Sequence, residues 1–296
     1  DLDIPWRRAV VSVDQFSRAD IDKIFGLATR LSVGRTMPLT GKSLVNLFYE
    51  PSTRTSSSFY AAMTRLGGSV IPINEVNYSS VTKGESLEDT IRTLECYADA
   101  LVLRHYDEDA TERAVSVASI PLINAGNGAG EHPTQALLDL YTISKERGGI
   151  DGLTITLMGD LKHGRTVHSL VKLLRMYDVK LNFVSPQELS MPSSYLISGD
   201  SEYLDLEPVI EDTDILYVTR VQRERLADTM VIDFSYAVTR EDMDRAKANM
   251  VLMHPLPRVG EIPAELDSDP RAAYFRQMKY GLHVRMALLV SMIGRD

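Results

Sequence analysis

Apolar positions along the chain follow two alternating patterns. Short, nearly unbroken apolar runs recur at 43–48 (SLVNLF), 69–73 (SVIPI), 100–104 (ALVLR), 121–125 (PLINA), 153–158 (LTITLM), 181–185 (LNFVS), 215–219 (ILYVT) and 250–254 (MVLMH). Continuous runs of this length predict strands buried on both faces, unlike the strict alternation of a half-solvated sheet. Between them the apolar residues return at helical spacing. Phe59, Ala62, Met63 and Leu66 follow the i, i+3, i+4, i+7 pattern, and Gly67-Gly68 supply a stop signal. Strands alternating with helices predict an α/β fold with parallel sheets covered by helices.

The helical stretch PTQALLDLYTISKERGG, from Pro133, separates the runs before 130 from those after 150. Two doubly wound parallel-sheet domains joined by helices are therefore expected, 1–132 and 133–272. The closing segment RAAYFRQMKYGLHVRMALLVSMIG is apolar at helical spacing, and is expected to return to the first domain over about 273–296. The length, 296 residues, exceeds the common size of one core and agrees with two domains.

Hydrophobic content of 44% and charged content of 25% are those of an ordinary globular protein. The formal charge of −9 argues against a general nucleic-acid surface, so any anion must be held locally by a few placed cations. No stretch approaches the roughly 20 apolar residues of a membrane span, and no secretory leader pattern opens the chain. A soluble, cytoplasmic protein with no membrane partner is expected. Cys96 is the sole cysteine, which excludes internal disulfides, and in RTLECYADALV it reads as a small buried helix residue. A start at Asp1 without methionine suggests processing or a segment of something longer.

In parallel sheets, ligands gather at the carboxyl ends of strands, where helix N-termini offer N–H groups and partial positive charge. The stretch FYEPSTRTSSSFYAAMTRLG, from Phe48, puts Ser52, Thr53, Arg54 and Thr55 at such a junction. Together they can offer a phosphate amides, hydroxyls and one guanidinium, although alone they also suit a plain Ser/Thr cap beside a solvated arginine. Other strand ends repeat the theme: Arg104 and His105 close LVLRH, and His132 and Gln135 follow a glycine-rich loop. Arg165 follows GDLKHG, Arg220, Gln222 and Arg225 follow ILYVT, and HPLPR ends its strand in a proline-rich turn. Cations repeated at strand ends predict convergence on a polyanionic ligand between the domains.

Two familiar motifs fail in detail. GNGAGE carries Glu131 at the third glycine of a dinucleotide fingerprint, and GDLKHGRT has Arg165 where a P-loop carries lysine. His132 has no second ligand at metal spacing, and no metal or cofactor is expected. His132-Pro133 at a helix start suits either a structural histidine or a hydrogen-bond donor to a carbonyl oxygen.

The ordered motifs STRT, LRH, HPTQ, GDLKHGRTVHS, TRVQRERL and HPLPR closely resemble the catalytic chain of the aspartate carbamoyltransferase family from about residue 8 to 293. DSDPRAAYFRQ looks most like the eukaryotic form fused into multifunctional pyrimidine-synthesis polypeptides. The resemblance implies carbamoyl transfer from carbamoyl phosphate to L-aspartate in pyrimidine biosynthesis. It also implies a first domain for carbamoyl phosphate, a second for aspartate, and a homotrimer with shared active sites.

It implies that Ser52, Thr53, Arg54 and Thr55 hold the phosphate, with Arg104 bridging phosphate and carbonyl oxygen. Thr55, Arg104 and His132 would stabilise the oxyanion, and Gln135 would orient the carbamoyl NH₂. Lys83 and Ser79, with Ser80 as the one-residue alternative, would reach a neighbouring subunit's site. Arg165 would clamp one aspartate carboxylate, Arg220 and Gln222 the other, and Pro255 and Leu256 would touch substrate through their carbonyls. Glu50 and Arg225 resemble the pair that locks the domains closed. Ser56 stands where some relatives carry a second arginine, as in eukaryotic-type sequences. The rival readings are an ornithine carbamoyltransferase, whose usual HCLP turn is HPLP here, and a catalytically silent scaffold domain.

Overall fold

The computed structural model describes residues 5–34, 36–74, 83–220 and 236–294. The chain forms two compact units, Asp1–Leu138 with Lys279–Asp296, and Asp139–Met278. The first contains α1 (Pro5–Arg8), β1 (Ala9–Val10), α2 (Arg18–Val33), β2 (Ser43–Phe48), α3 (Thr53–Arg65), β3 (Ser69–Ile73), α4 (Leu87–Leu94), β4 (Ala100–His105), α5 (Ala110–Val117) and β5 (Leu122–Asn127). Then come α6 (Pro133–Arg147), β6 (Thr154–Met158), α7 (Arg165–Leu174), β7 (Lys180–Val184), β8 (Ser201–Tyr203), β9 (Ile215–Val218), α8 (Arg240–Arg245), β10 (Val251–Met253) and α9 (Tyr274–Ile293). The division between units falls inside α6 and α9, and from Lys279 onward α9 belongs to the first unit.

Each unit is built on a five-stranded sheet, in the orders β1-β5-β4-β2-β3 and β10-β9-β6-β7-β8. Every pairing is parallel, so neighbouring strands require crossover connections, and these carry the helices. The expected α/β fold of two doubly wound parallel sheets is the observed one. All the expected apolar runs are strands. Among the described residues, the strands without such a run, β1 and β8, lie at sheet edges.

The first core packs Val45, Leu47, Leu101 and Leu103 of the sheet against Leu87, Ile91, Ala110 and Ala114 of α4 and α5. The second packs Met158, Val184, Leu216, Val218 and Leu252 with Met243, Leu266 and Tyr274. Full burial of one such large side chain contributes roughly 1.5–3 kcal/mol. The helix predicted from Phe59, Ala62, Met63 and Leu66 is α3 with its cap, and all four side chains are fully buried.

Cys96 corrects the expectation of a buried helix residue. Helix α4 ends at Leu94 with Glu95 as its cap, and Cys96 is exposed in the following turn, its Sγ 3.3 Å from the Arg92 carbonyl. Among the described residues no helix is long and apolar enough to cross a membrane.

Candidate active site

The junction of β2 and α3 is shaped by a buried amide. Asn46, inside β2, donates from Nδ2 to the Ser56 carbonyl at 3.1 Å and so fixes the first turn of α3 against the strand. Ser52 is the N-cap, with extended backbone, yet its side chain makes no capping bond. Its Oγ instead accepts from Arg104 Nη1 at 3.4 Å. The start of α3, with the positive end of its dipole, is thus left without its usual side-chain cap, the arrangement that favours a bound anion.

Arg104 leaves β4 where the register with β5 shifts between Leu103 and His105. Its Nε donates to Glu50 Oε2 at 3.2 Å. Arg54 stands exposed at the start of α3. Desolvation of its head group, followed by the like charge of Arg104, holds its pKa below the ordinary guanidinium value. An anion shared by the two guanidiniums would relieve that repulsion.

The glycine loop delivers His132 to the same place. Gly128 has a φ of 54° and its N–H donates to the His105 carbonyl at 2.9 Å. Glu131, which spoils the dinucleotide fingerprint, ties the loop to the N-terminal segment: its carboxylate accepts from Ser12 Oγ and from the Val13 N–H, both at 2.8 Å. His132 then caps α6, its carbonyl accepting from the Gln135 and Ala136 amides at 3.1 and 3.2 Å. His132 Nε2 stands 3.5 Å from Thr55 Oγ1, and Thr55, His132 and Gln135 are all buried.

Arg285 of α9 was not marked by sequence reasoning, yet it ties these helices together. It is buried, donates to Ser58 Oγ at 3.0 Å and Thr134 Oγ1 at 3.2 Å, and lies 5.2 Å from the Phe59 ring centre. A lone arginine inside the apolar HVRMALL stretch was the available signal. His105 corrects another expectation, since it is not one of the cations at the strand ends. Burial pushes its pKa down, its Nδ1 accepts from the Asp107 N–H at 3.0 Å, and its ring packs between Tyr49 and Tyr106.

In the second unit, Arg165 opens α7, whose cap Gly164 offers no side chain. The GDLKHG loop is closed by its own aspartate, with Asp160 Oδ1 accepting from the His163 N–H at 3.0 Å. Arg220 lies just past β9, and Pro255 and Leu256 just past β10, all half-buried. Lys83 is exposed ahead of α4. Ser79, Ser80, Gln222 and Arg225 lie outside the described residues. Among the described residues no three His, Cys, Asp or Glu side chains gather as a metal site.

Residues 8–145 match the family described as aspartate/ornithine carbamoyltransferase, carbamoyl-P binding domain, and residues 151–292 its Asp/Orn binding domain. The chain belongs to the aspartate/ornithine carbamoyltransferase family. It is 52% identical to the multifunctional protein pyr1-3 of Dictyostelium discoideum, over 96% of this chain but only 13% of that protein's length. It is 49% identical to the aspartate carbamoyltransferase catalytic subunit of Thermoplasma acidophilum, over 97% of this chain and 98% of the subunit. The structure of aspartate transcarbamoylase from Trypanosoma cruzi in complex with carbamoyl phosphate superposes with a TM-score of 0.92 at 46% identity, covering 97% of this chain and 96% of that one.

Proposed function

We propose that the protein is an aspartate carbamoyltransferase, which transfers the carbamoyl group of carbamoyl phosphate to the α-amino group of L-aspartate and yields N-carbamoyl-L-aspartate and phosphate for pyrimidine synthesis. The observation that carries the reading is the uncapped start of α3, with Arg54 and Arg104 at its mouth and Thr55 beside His132.

In this reading Ser52, Thr53, Arg54 and Thr55 hold the phosphate and Gln135 holds the carbamoyl NH₂. The amino nitrogen attacks the carbonyl carbon, and the developing oxyanion meets Thr55, Arg104 and His132. The bond to the phosphate oxygen then breaks, and the proton lost by the amine passes to the departing phosphate. Rate acceleration comes from orienting two anions and from donors fixed in advance at the oxyanion. Arg165 takes one aspartate carboxylate, Arg220 with Gln222 the other, and the carbonyls of Pro255 and Leu256 complete the aspartate side.

A homotrimer is part of the proposal, with Lys83 and Ser79 serving a neighbouring subunit's site, as is domain closure by Glu50 and Arg225. The likeness to multifunctional relatives supports a place in a larger polypeptide, and the single cysteine accords with a cytoplasmic reaction. The test offers carbamoyl phosphate with L-aspartate or L-ornithine in separate reactions. Carbamoyl-aspartate is expected from the first and nothing from the second. Citrulline would move the assignment to ornithine, and no product with either amine would leave a scaffold.

A further inference from the structure

The turn after β10 is held from both ends by a buried histidine and a buried glutamate that the reaction scheme leaves without a role. His254 closes the strand, fully buried, and its N–H donates to Gln277 Oε1 at 3.1 Å. Gln277 Nε2 donates to Asp139 Oδ1 at 2.7 Å, and Asp139 Oδ2 accepts from the Tyr217 hydroxyl at 2.7 Å. This buried chain fixes the point at which the turn begins.

The ring of His254 fixes its direction. Nδ1 accepts from the Leu256 N–H at 2.8 Å, which leaves Nε2 as the N–H side of the ring, 3.5 Å from Glu261 Oε2. The same carboxylate oxygen accepts from the Val259 N–H at 2.6 Å, and the Glu261 carbonyl accepts from Val238 at 2.8 Å. Burial pushes the Glu261 carboxyl up, but the His254 imidazole and the Val259 N–H outweigh it and hold the pKa below its ordinary value. Leu256 sits at a φ of 58°, a left-handed conformation that a non-glycine residue keeps only where its surroundings over-determine it.

Across a trans peptide, the N–H and C=O point in opposite directions. A Leu256 N–H pinned to His254 therefore aims the Pro255 carbonyl away from the ring. That carbonyl is one of the two assigned above to the aspartate side. We propose that His254, backed by Glu261, is a positioning residue that presents the Pro255 carbonyl to aspartate. This rests on the aspartate carbamoyltransferase reading.

The test is steady-state kinetics of His254→Ala, His254→Asn and Glu261→Gln, each substrate varied while the other saturates, with circular dichroism as the folding control. In His254→Ala the KM for aspartate is expected to rise about 10- to 100-fold, with the KM for carbamoyl phosphate unchanged. His254→Asn, whose Oδ1 can accept the Leu256 N–H as Nδ1 does, is expected to recover most of that loss. If His254→Ala does not fold, Glu261→Gln carries the test, with the aspartate KM raised roughly tenfold. An unchanged aspartate KM in a folded variant, an equal loss for both substrates, or no recovery in His254→Asn overturns the inference alone. A wild-type protein that makes no carbamoyl-aspartate overturns the functional reading and the inference together.

Discussion

Gly128→Ala tests whether a close backbone approach sets the loop that carries His132. A Cβ at Gly128 would stand 2.4 Å from the Tyr106 carbonyl oxygen, whereas real Cβ contacts stay above 3.0 Å, so the two must part by at least the difference, 0.6 Å. No side chain can rotate away, because the obstacle is backbone. The new residue would also sit at a φ of 54°, which costs an L-residue roughly 1–2 kcal/mol. Overpacking adds roughly 1–3 kcal/mol, for a total of about 2–5 kcal/mol. The moving parts adjoin two residues proposed for the chemistry, since Tyr106 lies just after Arg104 and Gly128 just before His132. A misplacement near 1 Å can cost about 10²-fold in rate, so turnover should fall by at least about tenfold. Gly148→Ala is the control: its φ is 74° but nothing lies within 4 Å of the added carbon, so only the conformational cost of about 1–2 kcal/mol applies. Urea unfolding and kcat are measured on both variants. Equal stability and equal turnover in the two would refute the close approach as the device that places His132.

Three further outcomes follow from particular contacts. Ser52→Ala should weaken carbamoyl phosphate binding yet cost far less than the about 1 kcal/mol of a lost N-cap, because Ser52 makes no capping bond; a full capping loss in urea unfolding would contradict this. Tyr217→Phe removes the hydroxyl from the buried Asp139 carboxylate and should lower unfolding free energy by about 1.5–3 kcal/mol, with a change under about 0.5 kcal/mol refuting the bond's role. Asp267 is held to about 2 by Arg258 and then Tyr274, from an ordinary 3.8. A depressed carboxyl stabilises fully above its unfolded pKa and loses that contribution as pH falls toward the folded one. The stability gap between wild type and Asp267→Asn should therefore narrow as pH drops from about 4 toward 2, and a gap that widens there would contradict the pairing.

The sheets were legible because parallel strands buried on both faces must be written as continuous apolar runs. The strands that escaped are two and three residues long and lie at the edges, where β8 reads Ser-Glu-Tyr and carries no such run. The positions of Arg104 at a strand end and His132 at a helix start were likewise legible, since local patterns fix both. Local spacing could not tell that α4 would stop before Cys96, or that the His105 ring would be buried between two tyrosines. Nor does spacing carry the links of Arg285 to α3 and α6, or of His254 to Glu261. The residues of each link lie apart in the chain, and only the packed fold brings them together. The lone arginine in an apolar stretch was the sole local trace.

The central claim is that the start of α3 cradles the phosphate of the reacting group. Turnover of folded Arg54→Ala, with saturating carbamoyl phosphate and L-aspartate, tests it most directly. Loss of this one donor should lower kcat by about 10²–10³ while the circular dichroism spectrum and urea midpoint stay close to wild type. Wild-type turnover in that folded variant would contradict the account.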